Sequence, residues 1–297
     1  TLNSLMEWYQ QLVGESLGKK GKGILPIISN VPKDNHSLMQ LYLDGFKKNF
    51  FTFFYAHENL SDKITIGFDP KLHTTKQIEN LNKDLSSKNI AVTPSVNFVD
   101  LIWTDQPPTP QKKVFIHQMK YSGESSSNKR SHIKKILKEN KIDAILISSP
   151  ENLCWTFNLR GSDVPMTPIA FGYAIIDNKG NAKLFFHKNK LNGQVRKALA
   201  QDKTLSINDI SEFLEQIKHL AGKKIWLDSQ TANVEVLRVA EAVHVSTHIS
   251  TDPIYLMKAK KNAVELKGIQ AAHLRDSTAI IKFIKWFMQT DPSKIDE

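Results

Sequence analysis

Apolar and polar positions along the chain alternate in short blocks whose period changes many times. That is the pattern of strands and helices in turn, not of one long repeat. Residues 3–12 space their apolar side chains as a helix does, behind an asparagine able to cap it. After Gly14-Glu15-Ser16 comes a glycine- and lysine-rich loop, and then an apolar run over 24–28. A second helical stretch, SLMQLYLDG, precedes residues 50–55, which read as a buried strand. From about residue 60 the rhythm changes. Residues 63–68 alternate like a strand, Asp69-Pro70 turns the chain, and Thr74 with Gln77 forms a capping box for a helix carrying Ile78, Leu81 and Leu85. Residues 89–96 predict another strand, and the prolines of 97–110 mark a connection.

The middle of the chain carries the strongest pattern. An amphipathic helix is predicted over 130–140, with Ile133, Ile136 and Leu137 on its apolar face, followed by a buried strand over 143–148. Ser149 caps the next helix, Pro150 takes its first position and Glu151 suits its dipole. That helix runs through Trp155 and Phe157, with Gly161 at the expected left-handed C-cap. Residues 169–176, the turn 177–180 and residues 182–186 predict a hairpin. Helices are expected over 207–220 and 231–242, and strands over 224–227 and 243–249. Near the end, Asn262 with Glu265 makes a capping box, and Ile280, Ile281, Ile284, Phe287 and Met288 share one helical face. The sum is an α/β fold with a mixed sheet.

Length and composition narrow the classes. At 297 residues the chain has room for about two domains. It has no run near the ~20 apolar residues of a membrane span and no basic-then-apolar leader in residues 1–6, so a cytoplasmic protein with no membrane partner is expected. It starts on Thr, so it reads as a fragment at that end. The charge of +10 is almost all lysine in scattered pairs, with five arginines and no recognisable nucleic-acid module, so solvated faces are expected rather than nucleic-acid binding. The single Cys154, between Leu153 and Trp155, reads as a buried small hydrophobe. His244 and His248 lie on a strand-like segment without an acidic partner or third ligand, so no metal site is expected there.

Two resemblances sharpen this picture. GESLGKKGKGI followed by DNHSLMQLYLDG resembles the C-terminal half of glucose-6-phosphate isomerase. The resemblance implies that Glu15 moves the proton between sugar carbons and that His36 helps open the ring. Both are expected to be inactive remnants, because the family's sugar-phosphate domain and its catalytic lysine have no counterpart here. GFDPKL, then NFVDLIWTDQPPTP, resembles the end of the first N-terminal domain of the Xaa-Pro aminopeptidases. SPENLCWTFNLRGSDVPMTPIAFGYAIID is similar to the second N-terminal domain of the Xaa-Pro aminopeptidase, creatinase and prolidase superfamily. The fold implied is a mixed-sheet creatinase-type N-terminal domain with partial flanking segments.

The domains implied are an isomerase-like fragment over 1–59, a partial first aminopeptidase domain over 60–118 and the creatinase-like domain over 119–255. A linker with the first helix of a truncated metallopeptidase domain follows over 256–297. The family releases an N-terminal residue that precedes proline, using two divalent metals, usually Mn, held by two Asp, one His and two Glu. None of those five ligands matches a position in this sequence, so no metal or cofactor is expected in this chain and no activity from it alone. Proline-containing peptides are the partners the resemblance implies. A homo-oligomer is a further expectation, as is an assembly role for the unpartnered final helix. Arg160 and Asp163 are expected to pair with each other and stiffen the NLRGSD loop.

Overall fold

A computed structural model describes residues 64–88 and 90–290. A parallel pair, β1 (Ile64–Phe68) and β2 (Ile90–Pro94), flanks α1 (Thr75–Ser86). The Thr74–Gln77 capping box forms as the sequence predicts. This unit rests on the start of α8 (Val234–Ala242): Phe68 and Ile78 pack on Val234, and Val234 N donates to His73 O at 3.0 Å. The proline-bearing connection holds one short helix, α2 (Phe98–Ile102), started by Asn97 Oδ1 accepting from Val99 N at 3.0 Å.

The centre is a six-stranded mixed sheet in the order β10-β9-β4-β6-β7-β8. It comprises β4 (Ala144–Ile147), β6 (Tyr173–Asp177), β7 (Ala182–Phe186), β8 (Leu205–Asp209), β9 (Lys224–Leu227) and β10 (Ser246–Ile249). β10, β9 and β4 run parallel, β6 and β7 are antiparallel to their predecessors, and β8 lies parallel to β7. All four residues of β4 are buried, because both faces of the sheet are covered and side chains alternate between them. Ile145 and Ile147 face a cluster with Ile133 and Leu137 of α4 (Ser126–Glu139), Leu153 of α5 (Pro150–Thr156) and Val195 of α6 (Gly193–Leu199). Ala144 and Leu146 face the opposite cluster, with Phe213 and Ile217 of α7 (Phe213–Lys218) and Val236 of α8.

Three predicted elements differ. The helix expected over 207–220 begins as strand β8: Ile207, Ile210, Leu214 and Ile217 do fit helical spacing, but Leu205 and Ile207 alternate with Ser206 and Asn208 and pack against the first cluster. A 3-10 turn over Ile210–Glu212, capped by Asp209, then leads into α7. The strand expected from 169 starts only at Tyr173, because Ala170 and Phe171 give their N–H groups to Cys154 and Asp163 instead of to a neighbouring strand. The strand expected from 243 starts at Ser246, after His244 takes a left-handed turn with φ 57°.

Two small pieces complete the frame. β3 (Phe115–Ile116) pairs antiparallel with β5 (Leu159–Arg160), and α3 (Met119–Ser122) follows β3. After α9 (Ile254–Ala259), α10 (Ala263–Gln289) runs for 27 residues, about 40 Å. Its predicted capping box forms, with Glu265 Oε2 accepting from Asn262 N at 3.0 Å, and no residue along it is buried. Among the described residues no helix is long and apolar enough to cross a membrane.

Candidate functional site

The NLRGSD loop is set by what ends α5. Ser149 Oγ accepts from Asn152 N at 3.2 Å, Pro150 occupies the first turn, and the helix closes at Thr156. The left-handed residue after it is Asn158, with φ 51°, and not Gly161 as the sequence predicts. Its side chain explains the exchange. Asn158 Oδ1 accepts from Lys129 Nζ at 2.8 Å and Nδ2 donates to Glu124 O at 2.8 Å, which holds the amide in a conformation asparagine tolerates. Gly161 is needed for a different reason. A Cβ there would lie 2.7 Å from Ala170 Cβ and 2.8 Å from Ile169 O, so only glycine lets the two limbs of the loop approach.

Behind the loop lies a buried ion-pair hub. Lys190 donates to Asp163 Oδ2, both side chains are wholly buried, and Lys190 Nζ also donates to Phe171 O at 2.9 Å. Asp163 Oδ1 accepts from Lys112 N at 3.0 Å, and Oδ2 accepts from Phe171 N at 2.7 Å. The expected Arg160–Asp163 pair is therefore corrected. Arg160 lies on β5 with its Nη1 donating to Leu159 O at 2.7 Å and to Cys154 O at 3.2 Å, while Asp163 turns inward to Lys190. Sequence reasoning missed Lys190 because it sits in HKNK, among lysines that look solvated. Nothing local distinguishes the buried one. Chemically the hub is a clamp: it joins the loop, the start of β3 and the turn after β7 through charge-assisted bonds.

A second polar cluster occupies the carboxyl ends of the parallel strands. Asp252 Oδ2 accepts from Asn152 Nδ2 at 2.7 Å and Oδ1 from Ile254 N at 2.8 Å, while its own N–H donates to Asp228 Oδ2 at 3.4 Å. Burial, with the Asp228 carboxylate adding to it, pushes the Asp252 carboxyl up to about 6 against those hydrogen bonds. Lys129 is buried too, 4.1 Å from the Trp155 ring centroid, and donates to Trp155 O at 2.9 Å. Burial brings its ammonium down to about 8.

A cleft of about 840 Å³ lies between α3 and α10, and Arg160 of β5 is among its lining residues. Asn262 Nδ2 ties the start of α10 to the end of α3 by donating to Ser122 O at 2.8 Å. His117 stacks on Tyr121 in its wall. Of the other predicted residues, Cys154 is a buried core residue whose sulfur accepts from Ala170 N at 3.3 Å, and burial raises its thiol pKa. His248 packs edge-on against Trp226, 4.7 Å between centroids. Among the described residues no group of three or more His, Cys, Asp or Glu side chains is arranged to hold a metal ion, so these residues do not fit a two-metal centre. Glu15 and His36 lie outside the described residues.

A six-stranded mixed sheet covered by helices on both faces, with a clamped loop between α5 and β6, defines a mixed α/β domain. Residues 105–265, more than half of the chain, match the Creatinase/Prolidase N-terminal domain, and the chain belongs to that family. It is 31% identical over 256 residues to a probable Xaa-Pro aminopeptidase P of Neurospora crassa, covering 82% of this chain and 37% of that one. It is 33% identical over 231 residues to one of Aspergillus clavatus, covering 74% and 35%. The chain thus spans under two-fifths of the length of these relatives. Among solved structures, X-prolyl aminopeptidase of Caenorhabditis elegans, described as a cytosolic enzyme with a di-nuclear active site, superposes with a TM-score of 0.68 at 26% identity. It covers 76% of this chain and 37% of that one.

Proposed function

We propose that this chain is an N-terminal, non-catalytic part of an Xaa-Pro aminopeptidase and does not cleave peptides by itself. The observation that carries the reading is the match of residues 105–265 to an N-terminal domain of the family, with the NLRGSD loop clamped at its centre. In the intact enzyme this region would shape the mouth of a site that binds proline-containing peptides and two divalent metals, which we take to be Mn, in the cytoplasm. The metal ligands would come from outside residues 64–290. Homo-oligomerisation belongs to the same proposal, since α10 leaves its apolar residues exposed. The test is release of the first residue from an Xaa-Pro peptide by the pure 297-residue chain with added Mn. The reading expects none, and turnover that depends on the metal contradicts it.

The spacing of GES and DNHS supports a second, narrower proposal: residues 1–59 are an isomerase-like segment whose Glu15 and His36 no longer catalyse. A coupled assay of fructose-6-phosphate conversion tests it. Activity abolished by Glu15→Gln would show a working isomerase site and overturn the remnant reading.

A further inference from the structure

We propose that the cleft between α3 and α10 is a binding site for a small phosphate monoester carrying a flat apolar group. Charge is the first argument. Lys120, Arg160, Lys261 and Lys267 line the cleft, and the lone lining carboxylate among the described residues, Glu265, accepts from the backbone N–H of Asn262 in the helix cap. Four cations facing one carboxylate, with the Lys261 ammonium also donating to Lys258 O, leave an excess of positive charge that suits a ligand with two negative charges. The N-terminus of the 27-residue α10, opening onto the same space, adds the positive end of its dipole.

Arg160 supplies the specific contact. Its Nη1 is held by the carbonyls of Cys154 and Leu159, which fixes the guanidinium, whereas Nε and Nη2 donate to no acceptor among the described residues. A half-buried guanidinium with one edge anchored and the other open presents two parallel N–H donors, the fork that matches a phosphate or carboxylate. Burial lowers its pKa, so the group is already partly stripped of water before an anion arrives.

The walls suggest the rest of the ligand. His117 stacks on Tyr121 at 5.8 Å between centroids and 25° between planes, and Lys120 Nζ lies 4.8 Å from the Tyr121 centroid. Val264 and Ile269 face the same opening. An aromatic shelf beside a cationic one takes a planar body on one side and the phosphate on the other, and about 840 Å³ falls in the usual range for small-molecule sites. Burial and the charges of Arg160 and Lys129 lower the His117 pKa, favouring the neutral ring for stacking. The proposal is independent of the peptidase reading, because neither the metals nor a peptide bond enters it.

Calorimetric titration of the full chain with phenyl phosphate, inorganic phosphate and phenol tests it. The expected result is one site per chain, with phenyl phosphate bound about fivefold or more tighter than inorganic phosphate and phenol unbound. Lys267→Glu, at an exposed side chain with no side-chain hydrogen bond among the described residues, is expected to weaken phenyl phosphate about tenfold. Arg160→Lys is expected to weaken it as well, and a thermal melt separates lost binding from lost folding in that variant. Affinity unchanged by Lys267→Glu overturns the proposal. So does phenyl phosphate bound no tighter than inorganic phosphate, or no binding of either.

Discussion

At the scale of single residues, the account rests on charges that the fold has taken out of water. Lys190 and Asp163 are wholly buried, and each has further backbone partners, so removing one leaves the other charged and uncompensated. Lys190→Met is therefore expected to cost about 3–5 kcal/mol in a denaturant titration. A loss below about 1 kcal/mol would remove the clamp from the argument. Gly161→Ala should cost about 1–3 kcal/mol by driving a methyl into Ala170, measured the same way. Asp252 gives a pH signature. Its folded pKa is raised from 3.8 to about 6, so its protonated form is favoured by folding. That contribution is full below the unfolded value and is lost as pH rises through about 6. Relative to Asp252→Asn, the wild-type chain should lose up to about 3 kcal/mol of stability between about pH 4 and about pH 7. A difference independent of pH contradicts the assignment.

At the scale of elements, what could be read from the chain depended on whether a local pattern had one meaning. The capping boxes at Thr74 and Asn262, the Ser149-Pro150 helix start and strand β9 needed only nearby residues, and they appear where predicted. Ile207 fits two periods at once, and only the pairing of β8 with β7 selects the strand. The Arg160–Asp163 pairing failed for a longer-range reason: the partner of Asp163 is Lys190, 27 residues away, brought in by the hairpin. Neither Asn158 as the left-handed residue nor the open edge of Arg160 is legible without knowing where Lys129 and α10 lie. The apolar face predicted for the last helix is present, and it is uncovered among the described residues. Ile281→Lys with Phe287→Lys should then change thermal stability by less than about 0.5 kcal/mol while lowering self-association in sedimentation. A cooperative loss of stability would mean that this face packs within the chain.

At the scale of the whole molecule, the described part is an α/β domain of the creatinase/prolidase N-terminal family with a β-α-β unit packed on α8. Its best-organised polar sites among the described residues, the Lys190 hub and the Asp228–Asp252 cluster, hold loops and helices in place. The proposed phosphate cleft lies apart from both, between α3 and α10. The most direct test of this account is a manganese titration of the pure 297-residue chain followed by electron paramagnetic resonance. The account predicts that added Mn stays free, with no stoichiometric binding at micromolar metal. Two tightly held Mn ions per chain, spin-coupled as neighbours, would contradict it.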